Sequence, residues 1–489
     1  MNIYNTLSRK KEEFIPLRAG HVGMYVCGIT AYDLCHMGHA RSAVVFDVIR
    51  RYLEYRGYQV TFIKNFTDVD DKIIQRANSE GRTIFDIASR FIQSHNEDMG
   101  ALGVGRPTAA PRATENIDGM ICLTQTLLDK GLAYEEGGDV YFAVEEFPSY
   151  GKLSGRKTED MIAGARVDVN ERKRNPLDFA LWKASRAGEP AWKSPWGQGR
   201  PGWHLECSVM SAHFLGETFD IHGGGEDLIF PHHENELAQS EGATGKPLAR
   251  YWMHNGFIRV NHEKMSKSLG NFFTIKEMLQ SYHPEVLRFF LVQSHYRSPV
   301  DYSDNTLREA RLAMGRFYSC LKAIKDKLPT GAGDGGPREI ESDRSEGRGV
   351  EIAQYRERFI EAMDDDFNTP RALGHMFDAV RIINGFLAEG NGPSRKQRNA
   401  LLQARSMLLE VGHILGIFYE DPDVYMDRDR EKEISRLGLD EKDIERLVAE
   451  RWQARLSKDW KRADEIRQIL ADKGVDLQDG PAGTVWRIV

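Results

Sequence analysis

"HVGMYVCGITAYDLCHMGHARSAVVFDVIRRYLEYRGYQVTFIKNF", residues 21–66, decides the fold. The segment 21–28 is rich in β-forming residues and closes on glycine, a strand followed by a turn. In the stretch after it, Val44, Val45, Val48, Ile49, Tyr52 and Leu53 fall on one face at helical spacing, with Gly57 as the stop. "YQVTFIKNF" then reads as a second strand. Strand, loop, helix and strand within some 45 residues form a βαβ unit, so the two strands run parallel with a right-handed crossover. The loop "AYDLCHMGHAR" therefore lies at the carboxyl end of the first strand, where open α/β sheets bind their ligands.

Outward from that unit, 489 residues exceed one ordinary core, so two to four domains are expected. Hydrophobic residues at 41% and charged residues at 28% are globular proportions. A net charge of −7 gives no overall pull toward nucleic acid, so such contact needs a local patch. The start "MNIYNTLSRKKEEF" lacks a secretory pattern, and no apolar run is long enough to span a bilayer. Five scattered cysteines without a CxxC point to reduced thiols in a cytoplasmic protein. Cys122 and Cys320 lie in amphipathic helical patterns, where a cysteine serves as a small hydrophobe.

The pattern divides the chain into an α/β domain in two halves, 1–112 and 196–245, interrupted by an insertion at 113–195. The insertion holds the hairpin signal "GGDVYFAVEEF". Strand-like runs return at "TFDIHGGG" (218–225) and "RYWMHNGFIRV" (250–260). A region 246–310 leads into helical patterns over 311–420, broken by a Gly- and charge-rich flexible loop at 329–351. A small C-terminal unit covers 421–489.

Three stretches carry residues suited to chemistry. In "HMGHAR", Gly38 admits a ligand close to the backbone at a helix N-terminus, and His36 and His39 add side-chain donors that can follow a phosphate. The bland alternative is that one histidine caps the helix and the other faces water. In "HEKMSKSLGNFF" (262–273), Lys264 and Lys267 can deliver two charges to a polyphosphate ahead of an N-capped helix; a solvated basic loop is the alternative. In "HGGGEDLIFPHHENELAQSEG" (222–242), Pro231 suits a first helical position and Gly242 a stop, predicting a helix over 231–241. His232 and Glu236 then share a face at i and i+4, while His233 and Glu234 point elsewhere in packing or capping roles. With two thiolates they form a tetrahedral set suited to zinc. Cys207 can supply one; Cys27 and Cys35 compete for the other.

With these motifs in order, the chain resembles the class I aminoacyl-tRNA synthetases, and within them the cysteinyl-tRNA synthetase family over essentially its full length. "HMGH" stands for the His-Ile-Gly-His signature and "KMSKS" is intact. "YVCG", "NFTDVDDKIIQRA", "RPGWHLECSVM" and "FDIHGGGEDLIFPHHENE" are specific to the cysteine family. The resemblance implies a Rossmann-like catalytic domain with a connective-peptide insertion at 113–195, a KMSKS-bearing stem-contact region at 246–310, a helical bundle, and an anticodon-binding domain at 421–489. It implies activation of L-cysteine by ATP with Mg²⁺, release of pyrophosphate, and transfer of the cysteinyl group to the 3′ end of tRNA(Cys). His36, Gly38, His39, Lys264 and Lys267 would contact ATP, the histidines and lysines also acting catalytically, and Asp227 would contact the ribose. Cys27, Cys207, His232 and Glu236 match the ligands of one Zn²⁺, which selects Cys27 over Cys35 and leaves Cys35 to packing. Thr67, Trp203 and His222 would line the cysteine pocket.

Cysteine and serine differ only by sulfur for oxygen, and apolar packing separates such pairs by ~1–3 kcal/mol. A discrimination of ~10⁴ needs about 5.5 kcal/mol, so zinc is expected as the sieve and no editing domain is required. For tRNA, "RWQARLSKDWKR" (451–462) holds five basic residues against one acid. Charge for phosphates and rings for unpaired bases make Arg451, Trp452, Arg455, Lys458, Trp460, Lys461, Arg462 and, near the terminus, Trp486 the candidate contacts. The wider segment 441–474, with nine basic and eight acidic residues, also suits a solvated amphipathic helix. A monomer is expected. Rival readings are a ligase joining cysteine to an amino sugar, disfavoured by the C-terminal end; a silent tRNA- or zinc-binding paralogue, disfavoured by the intact motifs; and a simple nucleotidyltransferase, which needs no such zinc set.

Overall fold

The structure, a computed structural model, describes residues 1–156, 173–260, 263–264, 272–328, 348–388, 395–480 and 483–488. Its N-terminal hairpin pairs β1 (Asn2–Asn5) with β2 (Lys10–Glu13). The βαβ unit follows as β3 (His21–Thr30), α1 (Met37–Tyr55) and β4 (Gln59–Thr67), with β3 and β4 parallel. Apolar residues of α1 (among them Val44, Phe46, Val48, Ile49 and Leu53) are buried against the sheet. Helices α2 (Asp71–Glu80) and α3 (Ile84–Ala101) complete the first half.

The insertion begins with α4 (Ile117–Asp129) and a five-stranded antiparallel sheet: β5 (Ala133–Glu136), β6 (Asp139–Phe142), β7 (Phe179–Ala184), β8 (Trp192–Ser194) and β9 (Gly197–Pro201). Gly137 and Gly138, both at positive φ, make the two-residue turn of the β5–β6 hairpin. Because β9 pairs with both β7 and β8, the insertion runs to about residue 201 and not to 195. The second half then supplies α5 (Trp203–Leu215), β10 (Phe219–Gly225), α6 (Glu234–Thr244) and β11 (Ala249–Asn255). The parallel sheet has the order β11-β10-β3-β4, so its second half extends past residue 245 to 255. Connections leave the central pair β10 and β3 in opposite directions, and the crevice between their carboxyl ends is the ligand-binding position of such sheets.

The helix expected over 231–241 is present: a helical turn at 231–233 runs into α6, which ends at Thr244 rather than 241, with Gly245 in the left-handed conformation as its cap. Phe230 is extended and the residues after it are helical, so Pro231 opens the helical run. Past the sheet, β12 (Ile258–Val260), β13 (Glu263–Lys264) and β14 (Val300–Tyr302) form a small sheet, and α7 (Ile275–Ser281) starts from a Thr274–Glu277 capping box. After α8 (Pro284–Val292) come the bundle helices α9 (Asp304–Lys327), α10 (Arg348–Asp364), α11 (Thr369–Leu387) and α12 (Arg395–Leu415). Of the expected loop 329–351, residues 329–347 lie outside the described residues and 348–351 open α10.

Helix α13 (Pro422–Arg436) also belongs to the bundle: its Tyr425 stacks on Tyr318 of α9 at 3.6 Å and is buried in the main core. The separate C-terminal core is formed by Ile444, Ile466, Leu470, Val475 and Leu477, from α14 (Glu441–Leu456), α15 (Trp460–Asp472) and the β15 (Val475–Gly480)–β16 (Gly483–Ile488) hairpin. That unit thus starts near Leu439, not at 421. Catalytic and helical parts are joined by Asp47 of α1, which receives Arg288 and Arg51 as ion pairs and the Gly105 N–H.

Candidate active site and metal centre

A cavity of about 620 Å³ opens at the carboxyl ends of β3 and β10. Gly28, Gly38, His36, His39, Trp203 and Asp227 are on its wall, as are Cys27, Lys64 and Lys72. Gly28 has no alternative: a Cβ there would stand 1.6 Å from the Asn65 carbonyl oxygen.

The two histidines of HMGH form a capping box on α1. His36 Nδ1 accepts from Gly38 N–H at 3.0 Å, and His39 Nδ1 accepts from His36 N–H at 3.3 Å. An imidazole accepting at Nδ1 carries its proton on Nε2, so each ring keeps Nε2–H as its remaining donor. Burial lowers His36 to about 4, and burial together with His36 pushes His39 well below the ordinary value, so both are neutral at pH 7. The rings stack at 3.8 Å. The two readings of this motif are compatible: capping orients the ring that lines the cavity.

The KMSKS side is tied to this turn by backbone. Phe273 O accepts from Met37 N–H, Cys35 O accepts from Ile275 N–H, and Phe272 meets the His36 ring edge-on at 5.0 Å. Lys264 lies on β13, its backbone paired with Arg259; Lys267 lies outside the described residues.

Behind Trp203 the cavity meets a buried cluster. Cys27 Sγ is 3.6 Å from Cys207 Sγ and 3.4 Å from Glu236 Oε1; Cys207 Sγ is 3.6 Å from His232 Nε2, which is 2.7 Å from Glu236 Oε1. Zinc tetrahedra with Zn–S of ~2.3 Å have S–S edges of ~3.8 Å and S–N edges of ~3.5 Å, so three of these four separations fit, while the 2.7 Å contact is a hydrogen bond. The remaining ligand-side atoms are held as well: His204 and His232 share a hydrogen bond between their Nδ1 atoms at 2.9 Å, and His222 Nε2 meets Glu236 Oε2 at 2.6 Å. Such partners orient metal ligands. Burial drives the Cys207 thiol up, but hydrogen bonds from Cys27 and His232 outweigh it and bring it to about 6; burial pushes the Cys27 thiol well up.

A second set, Cys27, His222, His233 and Glu236, also converges within 4.8 Å. The two-thiolate set suits zinc better and has its outer atoms fixed. Against the packing or capping role expected for it, His233 faces the cluster, 3.3 Å from Cys27 Sγ, with its other nitrogen on His254, because its ring is turned toward the end of β3. Glu234 does turn away, receiving the backbone N–H groups of Gly151, Leu153 and Ser154.

Of the three pocket candidates, Trp203 is on the cavity wall, 39% exposed, its ring stacked on His232 at 4.2 Å. Thr67 is buried and donates to Glu206 at 2.6 Å, and His222 is buried behind Glu236 against Trp252; neither is on the wall. Cys35 is buried with its sulfur 3.3 Å from His95 Nδ1, and burial raises its thiol to about 12. Unforeseen participants are His204, His233 and Lys64. Lys64 left a weak trace in the sequence, the one ionisable residue of its strand.

At the C-terminal end, Arg451 is buried and bidentate to Asp479, Arg455 also pairs with Asp479, and Arg462 pairs with Glu450 and Glu465. These three arginines brace the unit. Trp486 packs on its core under Arg430, Trp452 is half-buried, and Trp460, 58% exposed, stands out with Lys458 and Lys461.

This parallel sheet, its HxGH turn and the adjoining helical region define a class I aminoacyl-tRNA synthetase. A family model described as "tRNA synthetases class I (C) catalytic domain" matches residues 13–312, and one described as "DALR domain" matches 358–419. Among solved structures, a methionyl-tRNA synthetase from Mycobacterium tuberculosis in complex with methionyl-adenylate superposes with a TM-score of 0.60 at 15% identity. It covers 86% of this chain and 94% of that one, a likeness of fold. The chain is 56% identical to a cysteine–tRNA ligase of Geobacter metallireducens and 54% identical to one of Syntrophotalea carbinolica. Each comparison covers 100% of this chain and 99% of the relative. The chain belongs to the cysteine–tRNA ligase family.

Proposed function

We propose that this cysteine–tRNA ligase selects its amino acid through one zinc ion held by Cys27, Cys207, His232 and Glu236. The observation that carries the reading is the convergence of two thiols, an imidazole and a carboxylate beside the Trp203 wall of the cavity. Zinc bound there supplies a soft acid that takes a thiolate far more readily than a hydroxyl. The overall reaction joins L-cysteine to ATP as cysteinyl-adenylate, releases pyrophosphate, and transfers the cysteinyl group to the 3′ end of tRNA(Cys).

The remaining work falls to side chains. Trp203 closes the amino-acid end and excludes water; His36 and His39 present Nε2–H toward the phosphates, neutral donors that strengthen as charge develops. Lys264 and Lys267 deliver positive charge to the pyrophosphate, with Mg²⁺, and Asp227 accepts from the ribose. Trp460, Lys458 and Lys461 contact tRNA. No described helix is long and apolar enough to cross a membrane and all five cysteines are free, which supports a cytoplasmic enzyme; we take it as a monomer.

The test is charging of total tRNA with labelled cysteine, ATP and Mg²⁺, with serine as competitor, in wild type and Cys207→Ala. Wild type should charge with cysteine and ignore serine. Cys207→Ala should lose zinc, and its cysteine-over-serine preference should fall from ~10⁴ toward the ~10² of apolar packing. Unchanged zinc content and preference in that variant would sink the site.

A further inference from the structure

The carboxyl half of β4 carries one ionisable side chain, Lys64, whose Cα is paired with Val26 of β3. It is half-buried and lies on the cavity wall together with Cys27, His36 and His39. Among the described residues its charged or titratable neighbours are the Cys27 and Cys35 thiols and the imidazoles of His39 and His95; no carboxylate pairs with it. A half-buried ammonium without a counter-ion is unfavourable for the fold alone. Burial brings it down to about 8, so it still carries its charge at pH 7. A cation held so, on the wall of one cavity with the Cys27 thiol and the His36 and His39 imidazoles, is preorganised for an anion.

We propose that Lys64 is a catalytic residue of this ligase, its ammonium holding an anionic oxygen of the reacting pair, either the α-phosphate of ATP or the carboxylate of cysteine that attacks it. The inference rests on the ligase reading. At that junction a carboxylate oxygen forms a bond to the α-phosphorus as the bond to pyrophosphate breaks, and negative charge gathers on the non-bridging oxygens. A fixed cation there is stronger in the transition state than toward either substrate alone. Lys64 moves no proton in this step; it contributes charge.

The experiment compares the full chain with Lys64→Met, Lys64→Gln and Lys64→Arg in cysteine-dependent exchange of pyrophosphate into ATP. It also measures equilibrium binding of ATP alone and of cysteine alone, zinc per chain, and the urea unfolding midpoint. Lys64→Gln keeps a polar tip and so tests the charge even where Lys64→Met disturbs packing. We expect exchange to fall about a hundredfold in both neutral variants, as for loss of one fixed donor, and to return to within about tenfold of wild type in Lys64→Arg, with zinc content and midpoint unchanged. Weakened ATP binding identifies the α-phosphate as the partner, and weakened cysteine binding the carboxylate. Exchange within about threefold of wild type in a folded neutral variant overturns the proposal, as does an arginine variant as impaired as the neutral ones. Wild-type protein without exchange would overturn the ligase reading itself, a result separable from either.

Discussion

Behind Trp203, His222, His232, His233, Glu236, Cys207 and Cys27 are buried, Cys27 reaching the cavity wall, whereas between residues 451 and 486 a set of charges and rings lies mostly at the surface. The first set crowds two thiols, three imidazoles and one carboxylate into contact, and His222 Nδ1 is buried with no hydrogen bond among the described residues. The second pairs its charges internally, since Asp479, Glu450 and Glu465 take up Arg451, Arg455 and Arg462, although Arg451 Nε is itself buried without a hydrogen bond. Buried polar groups are expensive to leave unpaired and cheap to pair at a surface. An under-partnered cluster in the interior therefore points to a ligand, while a basic run at the surface points first to its own acidic neighbours.

The largest effect expected from breaking that contrast is at Asp47, a buried charge that is fully partnered. Burial pushes its carboxyl up, but Arg288 and Arg51 outweigh burial and hold it below the ordinary value. A depressed carboxyl stabilises the fold above its unfolded value of ~3.9 and loses that contribution as pH falls through the lower folded value. Asp47→Asn strands Arg288 in the interior and should destabilise the chain by about 3–5 kcal/mol, read from urea midpoints at pH 7. The gap between wild type and variant should narrow only below about pH 4. A gap that is small at pH 7 would mean that Arg288 finds another acceptor.

His204→Phe probes the interior cluster without touching a ligand. It removes the hydrogen bond on His232 Nδ1 and should weaken zinc retention 10- to 100-fold against a chelator. Equal retention would place His232's orientation under the control of Trp203 stacking alone.

At the surface, Trp460→Ala should raise the KM for tRNA about tenfold, the effect of one lost stacked base, with pyrophosphate exchange unchanged. Arg462→Ala, by contrast, should leave the urea midpoint and tRNA charging nearly unchanged, because its exposed charge is already committed to Glu450 and Glu465. If Arg462→Ala weakens charging more than Trp460→Ala, the two surfaces have been assigned the wrong way round.

Much of this was legible in the chain itself. The strand–helix–strand period of residues 21–66, the HMGH and KMSKS motifs, and the i, i+4 pair His232 and Glu236 are local patterns, and locality is what a sequence displays. Gly242 misled as the stop because any glycine late in a helical run looks like a cap in one dimension; the helix continues to Thr244 and Gly245 takes the left-handed conformation. The meeting of Cys27 with Cys207 across 180 residues is a product of the β3–β10 pairing, and spacing alone left Cys35 as an equal candidate. Only the tertiary structure has His233 face the cluster, Lys64 stand on the cavity wall with no carboxylate beside it among the described residues, and Arg451 brace a hairpin. Each depends on which group lies across the interface, and burial sets the cost of leaving that group alone. Sequence determined which chemical groups this protein has and how neighbours along the chain are aimed; the packed structure decided which of them are left needing a partner.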